Sequence, residues 1–362
     1  MGKMLRHGFT TGSAAAAAVK AALLSLLTNR APGKVDIPLP EEGRITVAVN
    51  CVETFDGYAR AVVIKDGGDD PDVTHRARIF CTVRFIPGVE PDRVLIEGGK
   101  GVGKVMKPGL PIPPGEPAIN PGPRKQLRKV VRECFALTGA KQRGVVVRIE
   151  VEDGEKIAQK TLNPRLGIVG GISILGTRGT VIPFSHEAYK ETITLSMNVA
   201  EALGMDTIAL STGGKSEKFL MRLLPELPGE ACIQVADFFA FALKEAARRH
   251  FTRVIYACFF GKLVKVAQGH EYTHAKTSLI DFGLLARWCR AVGIEGRRAR
   301  AVAVANTARE VLGIVSDDEH GGTFVHFLME KALSAGRRFM GPGMTLEIYL
   351  FSFDGTLLGK VK

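Results

Sequence analysis

From residue 166 onward the chain alternates two periods. Short aliphatic runs at 207–211, 232–235 and 253–260 are separated by segments with helical spacing of apolar residues, at 186–203, 215–224, 238–249, 278–292, 297–313 and 324–335. A further run at 166–169 opens the series. Strands that alternate with amphipathic helices bury both faces as a parallel sheet, because each parallel step needs a crossover that a helix supplies. The second half, 163–362, is therefore expected to be an α/β, Rossmann-like domain with a mostly parallel sheet. It closes with a hairpin over 345–360, turning at Asp354–Gly355.

Before Asn163–Pro164 the pattern differs. Thr10–Thr11–Gly12–Ser13 precedes an alanine-rich run over 14–27, a strong helix former with Thr or Ser available as N-cap. Runs at 35–39, 45–52, 58–65, 78–85, 94–97 and 145–151 read as strands between Gly, Pro and Asp turns. The stretch 106–123 holds seven prolines and reads as an extended loop, after which Pro123 opens a helix to about residue 137. Residues 152–155 read as a turn leading into 156–162. The first 162 residues are expected to form an α+β domain. At roughly 150 residues per domain, 362 residues suit two such units, each able to bury its own core. No apolar run approaches the roughly 20 residues of a membrane span. The N-terminus lacks a leucine-rich segment, so a cytoplasmic protein without a signal peptide or membrane partner is expected.

The six cysteines, Cys51, Cys81, Cys134, Cys232, Cys258 and Cys289, show no CxxC spacing, and neither a cysteine zinc site nor a disulfide framework is expected. Net charge is +12. Nucleic acid is one candidate partner, but one Trp and five Tyr leave little for base stacking, and a polyanionic small molecule explains the charge equally well; no nucleic-acid partner is expected. Self-association is left open.

Two short signatures fail on context. Gly98–Lys104 matches GxxxxGK, but Val105 stands where a P-loop needs Ser or Thr, and a proline-rich loop follows instead of a helix. His270–Glu271–Tyr272–Thr273–His274 spells HExxH. Zinc chemistry needs both histidines on one helix face, whereas 263–267 reads as a strand and Gly269 intervenes. His270, Thr273 and His274 still suit ligand binding from a loop.

The Gly-rich loops beside helix starts say more. Thr10–Ser13 offers hydroxyls and free amides at a helix N-terminus, a place for a carboxylate or phosphate, although from this stretch alone plain capping is somewhat favoured. The loops 170–177 and 212–217 each follow an expected strand, and ligands bind at the carboxyl edge of a parallel sheet. Asp66–Asp72 is a dense acidic turn. Asp237 reads as an N-cap. By residues alone this is a two-domain protein with an anion-binding cleft. A zinc-dependent hydrolase at 270–274 and a non-catalytic nucleic-acid-binding protein remain as other classes.

Several long motifs in one order resemble the CbiD family of anaerobic cobalamin biosynthesis. They are Arg6–Ser13 with its alanine run, Lys65–Thr74, Gly98–Gly103 with Lys107–Pro111 and Gly115–Pro121, Asn163–Ile168, Gly171–Thr177, and Gly269–His270 with Thr273–His274. The resemblance implies methyl transfer from S-adenosylmethionine to C1 of a cobalt-containing corrinoid whose rim carries carboxylates. The cobalt belongs to the substrate, so the protein needs no metal ligands of its own. On that basis Gly170, Gly171, Ser173, Thr177, Thr212, Gly213, Gly214, Ser216 and Glu217 are expected to hold the methyl donor. Thr10, Thr11, Gly12, Ser13, His270 and Thr273 are expected to hold the corrinoid. Asp69, Asp70 and His274 are candidates for a general base.

Overall fold

The computed structural model describes residues 5–87 and 90–362; the N-terminal stretch read above for a signal peptide falls partly on residues 1–4, outside them. The chain forms two compact units, Met1–His186 and Glu187–Lys362. The segment 163–186, expected to open the second domain, is held in the first. Ile168–Val169 pairs antiparallel with Lys104–Val105, Gly171–Ile172 pairs parallel with Gly101–Val102, and Thr180–Val181 pairs with Gly8–Phe9. Asn163–Pro164 changes the local pattern, but long-range backbone pairing decides the unit.

The first unit is built on a five-stranded sheet. Its strands are β1 (Cys51–Phe55), β2 (Tyr58–Ile64), β3 (Arg78–Ile86), β4 (Val94–Gly98) and β5 (Gly144–Val151), in spatial order β1-β2-β3-β5-β4. All pairs are antiparallel except β5 with β4. Alternate residues of β3, Ile79, Cys81 and Val83, are buried against helices α1 (Thr11–Thr28) and α2 (Pro121–Thr138). The run expected at 45–52 breaks in two. Arg44–Ala48 pairs with Lys34–Pro38 in a separate ribbon, and Cys51 starts β1. The turn at 152–155 leads into a five-residue helix, Gly154–Ala158, and not into a strand.

Helix α1 is the centre of this core. Thr10 caps it, its Oγ1 accepting from the Ser13 amide at 3.2 Å. Every residue from Thr11 to Leu23 is buried, and the alanines allow close approach to β2, β3 and α2. By length and composition α1 would suffice to cross a membrane, with mean hydropathy 1.4 over 18 residues, but 78% of it is buried within the unit. One charged residue, Lys20, interrupts this apolar run in the sequence. In the structure the Lys20 ammonium is buried and donates to Asp36 O (2.7 Å) and Glu133 Oε2 (3.2 Å). A satisfied ammonium does not interrupt a core helix.

The second unit carries the parallel sheet. Its strands are β6 (Thr207–Ser211), β7 (Cys232–Gln234), β8 (Arg253–Phe259), β9 (Thr345–Phe351) and β10 (Leu357–Val361), in spatial order β7-β6-β8-β9-β10. Four strands are parallel and β10 returns antiparallel from β9. The helices are α3 (His186–Ala202), α4 (Gly214–Leu223), α5 (Phe239–Arg248), α6 (Phe260–Ala267), α7 (Phe282–Ala291), α8 (Gly296–Ala303), α9 (Ala308–Ser316) and α10 (Gly321–Arg337). One sheet face, with Ile208, Leu210, Tyr256 and Ile348, belongs to the larger core; the other, with Ala209, Ile255 and Tyr349, packs on Leu220 and Phe219 of α4. Strand order reverses direction between β6 and β8, and in open α/β sheets ligands bind outside the carboxyl ends of the strands at such a point.

Two expectations are corrected here. The helix expected over 297–313 is two helices, because Thr307 caps a new start, its Oγ1 accepting from the Glu310 amide at 3.1 Å. The strand expected over 263–267 is the end of α6. Leu263, Val264, Val266 and Ala267 are all buried in the core, and a short apolar run does not by its period tell helix from strand.

Candidate active site

At the carboxyl edge of the second unit's sheet, β6 ends on Ser211 and the turn Thr212–Gly213 leads into α4. The Ser211 hydroxyl is buried and, among the described residues, has no hydrogen-bond partner. The first bond of α4 runs from the Glu217 amide to Gly213 O (3.1 Å), and no side chain caps the helix. The first-turn amides of Gly214, Lys215 and Ser216 are thus left at an open helix end. Ser216 Oγ donates to Gly213 O (3.0 Å) and lies 3.2 Å from Thr212 Oγ1. Glu217 is buried and accepts from Gln234 Nε2 (2.8 Å) at the end of β7. A Cβ on Gly213 would meet nothing within 4 Å, and its φ of 162° is ordinary extended backbone. Packing does not demand glycine there.

Beyond β7 the backbone is strained at Ala236, whose φ is +47°. Asp237 follows. It is not the cap of α5: Phe238 occupies that position, without a side-chain cap bond. Instead Asp237 Oδ1 accepts from Lys262 Nζ of α6 and from Thr273 Oγ1 (3.1 Å), and Asp237 O accepts from the Thr273 amide (3.0 Å). Thr273 is fully buried, and its carbonyl accepts from Lys265 Nζ at 3.0 Å. Burial, then the like charge of Lys265, pushes the Lys262 ammonium down to about 8; the Asp237 carboxylate in contact with it pulls the other way. Burial also lowers Lys265. Phe238 stacks on Tyr189 (5.5 Å between centroids) and packs on Tyr272 (5.0 Å), forming an aromatic wall beside Asp237.

Lys262 is the residue that sequence reasoning missed, since no motif contains it and 263–267 reads as a strand. For Asp237 a signal existed: an acid at the end of the strand following a Gly-rich turn, some 20 residues on, is where nucleotide-binding sheets place a ribose ligand.

The HExxH residues sit in an irregular segment after α6, and Gly269, with φ +87°, turns the chain away from the helix. His270 Nε2 lies 3.0 Å from Leu279 O, and His274 Nδ1 accepts from the Lys276 amide (3.3 Å) while its ring stacks on Tyr272. The two histidines therefore do not share a helix face, and among the described residues no cluster of three His, Cys, Asp or Glu side chains is placed to hold a metal.

In the first unit the expected substrate groups are occupied by the chain itself. Thr11 Oγ1 donates to Ser173 O (3.1 Å) and accepts from the Leu175 amide (2.9 Å); Ser13 Oγ donates to Gly179 O (2.7 Å); the Gly12 amide donates to Leu175 O (3.0 Å). Together with the Thr10 cap, capping and loop anchoring account for Thr10–Ser13, and the helix end is closed by its own chain. The loop 170–177 thereby belongs to this unit and not to the carboxyl edge of the parallel sheet, where it was expected beside 212–217. Ser173 Oγ donates to Asn163 Oδ1 (3.2 Å), and a Cβ on Gly171 would lie 2.1 Å from Gly101 O. Gly170 and Thr177 are exposed.

The acidic turn is a clasp. Asp66 pairs with Arg6, which holds its carboxyl down at about 2; Asp69 Oδ2 accepts from the Arg6 amide (2.8 Å); Asp70 Oδ1 accepts from the Phe184 amide (2.9 Å). Burial favours a neutral Asp72, but the buried Lys65 ammonium and the Thr74 donors outweigh it and keep its carboxyl below the usual range. A Cβ on Gly8 would lie 2.3 Å from the carbonyl carbon of Gly67, so the first two motifs dock backbone against backbone. The P-loop-like glycines serve packing too: the Gly99 amide donates to Ile149 O (2.7 Å) and the Gly103 amide to Ile172 O (2.9 Å).

Comparison with known proteins agrees over the whole chain. The family model CbiD matches residues 1–183, and the model for the CbiD C-terminal domain matches 272–362. A relative from Nitratidesulfovibrio vulgaris, named cobalt-precorrin-5B C(1)-methyltransferase, is 50% identical over 360 residues, 98% of this chain and 92% of its own. One of the same name from a Geobacillus species is 46% identical over 99% of this chain and 97% of its own. A crystal structure of a cobalamin biosynthesis protein (cbiD) from Archaeoglobus fulgidus is 30% identical, covering 72% of this chain and 78% of that one with a TM-score of 0.40. With one family model matched over 1–183, more than half of its length, and the other over 272–362, the chain belongs to the CbiD family.

Proposed function

We propose that this chain is a cobalt-precorrin-5B C(1)-methyltransferase, which transfers a methyl group from S-adenosylmethionine to C1 of the corrinoid, giving cobalt-precorrin-6A in the anaerobic route to cobalamin. The observation that carries this reading is the similarity, at 50% and 46% identity over nearly the full length, to relatives of that name. A cytoplasmic location is part of the reading and is supported by the burial of α1 inside a folded core.

The second unit's sheet, read as Rossmann-like, supplies the methyl-donor site at its carboxyl edge. The fit rests on three features there: an orphan buried hydroxyl on Ser211, an uncapped α4, and open space at Gly213. The first-turn amides of α4 suit a carboxylate, and Gly213 lets a ligand approach the backbone closely. S-adenosylmethionine supplies an electrophilic methyl group bound to a sulfonium. The chain's task is to align that methyl with a ring carbon and to exclude water, which requires fixed positions more than reactive side chains. Ser216 and Gln234 fix the loop and Glu217, and Thr273 fixes Asp237. Lys262, lowered to about 8, is the group at this edge suited to exchange a proton near neutral pH. Of the three earlier base candidates His274 belongs to the second unit, next to Thr273, while Asp69 and Asp70 serve the clasp of the first unit.

The test is a single-turnover assay with purified protein, cobalt-precorrin-5B and methyl-labelled S-adenosylmethionine, followed by mass spectrometry. Gain of one labelled methyl, abolished in Gly213→Val while the variant stays folded, is expected. Bound corrinoid with no methyl gain would overturn the reading.

A further inference from the structure

Helix α2 breaks the ordinary rules for a stable surface helix. Arg124, Lys125, Arg128, Lys129 and Arg132 fall within its first twelve residues, and its first turn contains no acid. Cations are unfavourable beside the positive end of a helix dipole, and like charges three or four residues apart repel. Arg124 is paired with Glu116 at 3.0 Å. The remaining four are exposed and fall at i, i+3, i+4 and i+7, so they form one stripe. Among the described residues no ion pair or hydrogen bond joins any of the four side chains to another residue. Glu133, the acid four residues after Lys129, is turned away to Arg44 (2.9 Å) and Lys20 (3.2 Å). Beside the stripe lies an open concavity of about 510 Å³, lined by these four cations with Glu133 and Ala136. Packing of α2 into the core needs none of the four. A charge arrangement that costs stability without a structural return marks a place where function chose the residues.

We propose that the α2 stripe is a capture site for the carboxylate-bearing rim of the corrinoid. This rests on the reading of the substrate given above and adds a place on the chain where its charge is first met. No aromatic side chain lines the concavity, which disfavours a stacked nucleic-acid base. Four unpaired cations along one helix face raise the encounter rate of a polycarboxylate and set its salt dependence.

The test is a titration of the full chain, followed by corrin absorbance, with cobyrinic acid, whose side chains are free carboxylates, and cobinamide, whose side chains are amides. The wild type is expected to bind the polycarboxylate at least about tenfold more tightly than the amide, with affinity that falls steeply with salt. Arg128→Gln with Arg132→Gln should weaken cobyrinic acid by about tenfold and flatten its salt dependence. Arg128→Lys with Arg132→Lys should retain most of the affinity, which separates charge from folding. Arg297→Gln with Arg300→Gln removes the same charge from exposed positions of α8 and should change little. The proposal is overturned if the α8 pair loses as much as the α2 pair, if the α2 pair keeps both affinity and salt dependence, or if duplex DNA competes as well as cobyrinic acid. Loss of methyl transfer with capture intact would count against the methyltransferase reading alone.

Discussion

Thr273 joins Asp237 and Lys262 at the carboxyl edge of the second unit's sheet. Its hydroxyl donates to the Asp237 carboxylate at 3.1 Å and its carbonyl lies 3.4 Å from Lys262 Nζ, while the two charged groups contact each other directly. Both ions are mostly buried, with side chains 17% and 27% exposed. Removing one partner of such a pair leaves the other uncompensated. Asp237→Asn is expected to cost about 2 kcal/mol, and adding Lys262→Met should recover at least half of it. Urea melts of the single and double variants check this; equal losses that simply add would refute the coupling.

The same lysine sets a pH dependence. Its folded value, about 8, lies below the ordinary 10.5, so the unfolded chain binds the proton more tightly between those values. The cost of burying the ammonium is full below pH 8 and is relieved as pH rises from about 8 to 10.5. Stability of the wild type relative to Lys262→Met should rise through that window, by up to ~1.4 kcal/mol per pH unit. Denaturant melts of both proteins across the window would show it, and a flat difference would rule it out.

Glu347 of β9 gives the opposite sign. Arg253 holds it at 2.9 and 3.2 Å and Lys360 at 3.1 Å, and these partners pull its carboxyl down to about 2 from 4.5 although burial opposes them. The stabilisation is complete above pH 4.5 and disappears as pH falls through about 2. Glu347→Gln should cost about 3 kcal/mol at neutral pH and remove this part of the acid sensitivity. Acid titration followed by near-ultraviolet circular dichroism distinguishes the two proteins.

Two glycines should respond in opposite ways. A Cβ on Gly171 would lie 2.1 Å from Gly101 O, a backbone atom that no rotamer change can move. Gly171→Ala is expected to cost 3 kcal/mol or more, on the order of other severe overpacking. Gly213→Ala meets nothing within 4 Å and should leave stability within about 0.5 kcal/mol. Calorimetric titration with S-adenosylmethionine should nonetheless weaken for Gly213→Val. Unchanged donor binding in that variant would remove Gly213 from the site.

The α2 stripe carries a stability prediction independent of any ligand. Arg128→Gln with Arg132→Gln removes like-charge repulsion one helical turn apart, so the variant should be as stable as the wild type or up to about 0.5 kcal/mol more so. A lower melting temperature at low salt would contradict this.

The sequence by itself determined the elements whose periods are local. The parallel strands at 207–211 and 253–259, the helices between them and the Thr10 cap of α1 all follow from apolar spacing and capping chemistry. The motifs that carried the family resemblance were equally legible, because they are contiguous. Only tertiary structure decided what those motifs do. The amides and hydroxyls of Thr10–Ser13 looked available to a ligand, but the chain returns 162 residues later and occupies them. The loop 170–177 resembled a sheet-edge loop, yet backbone pairing with Gly101–Val102 holds it in the first unit. Asp237 looked like a cap, and its partner Lys262 lies 25 residues away on a segment with no signature. Helix and strand periods arise from bonds between near neighbours, so a single sequence records them. Ion pairs and backbone contacts between distant segments depend on how the chain is routed, and routing is set by the cooperative burial of the whole core.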